Sequence, residues 1–100
     1  MTENINFFEE LFNTIKEKGD SNDKKSYTKE LLKKGKNKIA QKISEESSEL
    51  VIDYLNGSKK RTIEEASDLI YHLFVLLYSK KIKLEDIKKE LKKRQNVRRK

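Results

Sequence analysis

From Leu69 to Tyr78 the chain reads LIYHLFVLLY, which at helical spacing leaves almost no polar side. Within the longer segment around it, Ile63, Ala66, Ile70, Leu73, Phe74 and Leu77 recur as one face at about 100° per residue. A helix that is apolar on nearly every side has to be covered on every side, so other elements must wrap it. The rest of the chain offers only helices for that task. There is no proline, glycine occurs three times, and no segment alternates apolar and polar residues at period two. An all-α fold of about five helices is expected.

The first helix is expected from Glu3 to Lys18, with Ile5, Phe8, Leu11, Phe12 and Ile15 as its apolar stripe. GDSNDKKS, Gly19 to Ser26, is a polar connection to a short helix from Tyr27 to Lys34, which Gly35 ends as a C-cap. A long helix follows from Asn37 to Leu55 with Ile39, Ala40, Ile43, Leu50, Val51 and Tyr54 on one face. Asn56-Gly57 closes it, Gly57 being able to take a left-handed conformation. Thr62 and Glu65 have the spacing of a capping box, which starts the apolar helix near Ile63 and carries it to Ser79. A last amphipathic helix runs from Leu84 to Arg94. Residues 1–94 are read as one domain and 95–100 as a basic, fraying tail.

Only 34% of the residues are hydrophobic and 41% are charged, a thin core for one hundred residues, so association of chains is expected to bury more. Without cysteine there is neither a disulfide framework nor a thiolate metal site. No apolar run reaches the ~18 residues of a membrane span, and the acidic start MTENINFFEE is unlike a signal peptide. A cytoplasmic protein with no membrane partner is expected. The net charge of +7 admits nucleic acid or phosphorylated small molecules as partners. The basic excess sits largely after Lys88, without interleaved aromatics or a recognition motif, which argues against nucleic acid.

The acids carry the sharper signal. On the long helix Lys42, Glu46, Glu49 and Asp53 form one stripe beside the apolar face, while Glu45 points further away. On the apolar helix Glu65, Asp68 and His72 form a stripe almost opposite its main face. If the two helices pack antiparallel through NGSKKRT, the pairs Glu46/Glu49 and Glu65/Asp68 meet. Carboxylates at close range raise one another's pKa, and a hard divalent cation removes the conflict. Magnesium suits such a set and binds phosphate as well, which points to phosphoanhydride hydrolysis. Solvated or lysine-paired acids are the plain alternative, and residue types with spacing leave both readings open.

SYTKELLKKGKNKIAQKISEESSELVIDYL followed by IEEASDLIYHLFVLLYSKKIKLEDIKKEL resembles the phosphoribosyl-ATP pyrophosphohydrolase family, within the all-α (MazG-like) nucleotide pyrophosphohydrolases. The signature ExxE then ExxD is matched by Glu46-Ser-Ser-Glu49 and Glu65-Ala-Ser-Asp68. The resemblance implies a helical bundle completed by dimerisation. It implies Mg2+-dependent hydrolysis of 1-(5-phosphoribosyl)-ATP to 1-(5-phosphoribosyl)-AMP and pyrophosphate, the second step of histidine biosynthesis. Carried over, Glu46, Glu49, Glu65 and Asp68 are metal ligands, and Glu45 with Glu46 and Glu49 makes the catalytic acids. Lys42 and Lys38 are candidates for phosphate, His72 and Tyr27 for substrate contact, although the apolar neighbours of His72 favour a hydrogen-bonded core histidine. Lys36, also near the start of the long helix, reads as a surface lysine. Members often carry glycine where Ser44 stands, and no second, cyclohydrolase domain with a zinc site is seen, so the stand-alone form is expected. The rival readings are a house-cleaning NTP pyrophosphohydrolase of the same superfamily and a basic helical nucleic-acid binder.

Overall fold

The computed structural model describes residues 7–22 and 26–98. Five helices follow in order: α1 (Phe7–Asp20), α2 (Tyr27–Lys34), α3 (Lys36–Asn56), α4 (Lys59–Ser79) and α5 (Leu84–Arg98). Among the described residues there is no strand, and no helix is long and apolar enough to cross a membrane. The expected start of the first helix at Glu3, with Ile5, lies outside the described residues. The last helix passes its expected end and continues through Arg98, helped by an ion pair between Arg94 Nε and Glu90 Oε2 at 2.9 Å.

The helix ends follow local chemistry. Ser26 caps α2 by accepting from Lys29 N. Gly35, at φ 95°, ends α2 as expected and opens α3, a left-handed turn that a side chain would strain. Thr62 and Glu65 do not form a capping box. Ser58 is the N-cap, its hydroxyl accepting from Arg61 N at 3.0 Å, so α4 begins a turn earlier than the spacing suggested. Thr62 instead donates to the carbonyls of Ser58 and Asp53, tying α4 to the end of α3. Gly57 is extended (φ −100°), not left-handed, and its lack of a side chain serves close approach: a Cβ there would lie 2.6 Å from Asp53 Oδ1. The end of α4 is a Schellman turn, with Ile82 N donating to Leu77 O and Lys81 N to Tyr78 O. Lys81 takes the left-handed position at φ 63°.

α3 and α4 form an antiparallel hairpin, and α1 and α2 pack across one end of it. Phe12 and Ile15 of α1, Leu31 of α2, Ile39 of α3, and Phe74, Val75 and Leu77 of α4 make the buried core. Phe12 meets Phe74 edge to face at 5.5 Å. The radius of gyration of 15.4 Å exceeds the ~13 Å of a compact chain this size, because the far end of the hairpin projects. The expectation that α4 is buried all round also fails. Ile63 and Leu73 are exposed, as are Val51 and Tyr54 on the long helix's apolar face. Among the described residues α1 and α2 pack on this hairpin of two 21-residue helices, and they cover only part of it.

Candidate metal centre and phosphate groove

Glu46 and Glu49 stand one turn apart on α3, and the antiparallel pairing brings Glu65 of α4 opposite them. One carboxylate oxygen from each lies within 4.8 Å of one from each of the others. Glu46 and Glu65 are 7% and 6% exposed, while Glu49 opens to solvent. Burial of charge at this depth calls for a partner. Yet among the described residues Glu46 Oε1 and Glu65 Oε1 find no hydrogen-bond partner. Burial first, then a hydrogen bond to Glu49 and the charges of Glu49 and Glu46, pushes the Glu65 carboxyl up to about 7, against an opposing pull from Arg61. Three converging acids with two orphaned buried oxygens fit a hard divalent cation, whose charge and oxygen preference would satisfy all of them.

The sequence placed Glu65, Asp68 and His72 opposite the main apolar face of α4. In the fold Glu65 and His72 turn into the protein and Asp68 stays exposed, outside the group of three. The Asp68 carbonyl accepts from His72 Nδ1 at 2.8 Å. A carbonyl only accepts, so Nδ1 carries the hydrogen, and in that tautomer Nε2 is the acceptor. The Tyr27 hydroxyl, 2.9 Å away, fills it. Burial raises the Tyr27 phenol above its ordinary value, which keeps that donor protonated. Tyr27 also stacks on Tyr71, whose hydroxyl hydrogen-bonds Thr28. His72 is thus a satisfied buried histidine holding α2 against α4, and Tyr27 is half exposed.

A groove of about 170 Å³ opens between α2 and α3, lined by Tyr27, Glu30, Lys34, Lys38, Lys42 and Glu45 together with Leu31. Lys42 joins it to the acids: its ammonium lies 3.7 Å from Glu46 Oε2 and 3.8 Å from Glu45 Oε1. Glu45 is turned away from the trio as the helical wheel required, accepting from Gln41. Lys36 does not line this groove; it borders a hollow with Leu76 and Lys80 instead. Two cations escaped the sequence reading. Lys34 reaches the groove from α2, which no pattern within α3 could reveal. Arg61 contacts Glu65, and its i, i+4 spacing was a visible signal.

The family profile for phosphoribosyl-ATP pyrophosphohydrolase matches residues 8–95. Over 92 residues the chain is 44% identical to a Clostridium novyi protein named phosphoribosyl-ATP pyrophosphatase, covering 92% of this chain and 84% of that one. A Sulfolobus acidocaldarius protein of the same name is 43% identical over 89 residues, 89% of this chain and 94% of its own. The chain is also 44% identical to part of the histidine biosynthesis bifunctional protein HisIE of Bacteroides thetaiotaomicron, spanning 45% of that protein.

Proposed function

Because the chain belongs to the phosphoribosyl-ATP pyrophosphohydrolase family, we propose that the acid trio and the lysine groove beside it are where it works. The reaction is hydrolysis of 1-(5-phosphoribosyl)-ATP to 1-(5-phosphoribosyl)-AMP and pyrophosphate, a step of histidine biosynthesis. Glu46, Glu49 and Glu65 would hold Mg2+, and Asp68, exposed one turn beyond Glu65 on α4, is added as a fourth ligand on the family signature alone. Bound there, the cation would neutralise phosphate charge and lower the pKa of a water. Lys42 and Lys38 take negative charge of the phosphates in the groove. Glu45 anchors Lys42 and is exposed enough to accept a proton. Tyr27 borders the groove, and His72 acts on substrate through it by holding its hydroxyl.

Two chains associate through the exposed apolar end of the α3–α4 hairpin, and a cytoplasmic location suits an amino-acid biosynthetic step. What supports the site is the pair of buried, unpartnered oxygens on Glu46 and Glu65 inside the trio. Pyrophosphate release from phosphoribosyl-ATP, with and without Mg2+, is the direct test. Glu46→Gln or Glu49→Gln should lower kcat by about a hundredfold or more, with an unchanged helical circular dichroism spectrum. Activity within a few-fold of wild type in both variants would remove the trio from the chemistry.

A further inference from the structure

We infer that Arg61 is a resident counter-cation of the acid cluster, one that steadies the metal-free site and competes with a divalent cation for it. This rests on the trio being a metal site.

The guanidinium spans both helices. Its Nη2 lies 3.2 Å from Glu65 Oε2 and 3.8 Å from Asp53 Oδ2, and its Nη1 lies 3.3 Å from Glu64 Oε1. It thus engages one oxygen of Glu65 and leaves the other, Oε1, buried without a partner. Half of that carboxylate is neutralised by the chain itself and half is open to another cation. The backbone of Arg61 is pinned, since its N–H donates to the Ser58 cap. The side chain is 57% exposed and can withdraw into water at little cost. Arg61 is not among the residues lining the lysine groove, so its partners are the carboxylates.

A guanidinium stays charged at any working pH, so this competition, unlike that of a proton on Glu65, does not fade as pH rises. A fixed positive charge beside the cluster opposes an incoming dication by simple Coulomb repulsion. In the metal-free protein the same charge relieves the repulsion among Glu65, Glu49 and Asp53. Removing it should therefore move two quantities in opposite directions.

The test is isothermal titration of metal-free protein with Mn2+ or Mg2+ at constant ionic strength, alongside melting in EDTA. Arg61→Gln should bind the cation about fivefold more tightly than wild type. It should also melt at a lower temperature in EDTA. Arg61→Lys, which keeps the charge, should stay near wild type in both. Unchanged or weaker cation binding in Arg61→Gln would overturn the inference, since a merely structural or ligand-orienting arginine gives those results. If wild type itself binds neither cation, the reading of the trio as a metal site fails instead.

Discussion

Glu65 is the residue on which the site's pH behaviour turns. Its carboxyl titrates at about 7 in the folded chain against 4.5 when free. A raised acid pKa means the folded state holds a proton that the unfolded chain releases first. Its contribution is fully present below about pH 4.5 and is lost as pH rises through about 7. Melting in EDTA should therefore show a downward slope between pH 5 and 8 that Glu65→Gln flattens. Equal slopes in the two proteins would mean Glu65 is not the titrating group. A bound dication favours the ionised acid, so Mg2+ should offset the loss most at the alkaline end. Lys81 gives a second test at this scale. It occupies the left-handed position of the Schellman turn, where a side chain costs about 1 kcal/mol. Lys81→Gly should raise stability by about that much in urea unfolding, and a loss would show that the lysine side chain outweighs its backbone strain. Both residues lie in plain sight in the sequence. Their special conditions come from what surrounds them.

At the level of elements, the helices were legible because apolar spacing and glycine positions are local properties. Gly35 ends α2 as the pattern requires, and α2 spans Tyr27–Lys34 as its sequence predicts. The start of α4 departs from the spacing because Thr62 and Glu65 have capping spacing while Ser58, one turn earlier, captures the N–H of Arg61. Competing caps are decided by which residue is outside the helix, and that depends on where the hairpin turns. The joint between α2 and α4 was not legible at all, being a hydrogen bond between residues 45 apart in sequence, Tyr27 and His72. Tyr27→Phe leaves the buried His72 Nε2 without its donor and should cost about 1–2 kcal/mol in chemical denaturation. A variant as stable as wild type would indicate that the histidine is satisfied by water instead.

For the whole molecule, the decisive feature is an apolar surface that the described residues leave uncovered. Tyr54 and Leu55 are 75% and 68% exposed, and Val51, Ile52 and Ile63 join them at the far end of the hairpin. If two chains bury that surface together, Leu55→Glu with Val51→Asp should give a monomer by sedimentation velocity and a lower melting point. A wild-type chain that sediments as a monomer at micromolar concentration would dismiss the association. By itself the sequence determined the helices, their apolar stripes, and which acids share a turn, because each follows from spacing along one rigid helix. It also carried enough of the family's signature to identify the reaction. Only the tertiary structure decided which of those acids are buried and which face water. Glu46 and Glu65 went in while Asp68 stayed out, Lys34 and Arg61 arrived from outside the acid motif, and Leu73 remained uncovered. Burial is a property of what packs against a face, and no pattern within a single helix contains that information.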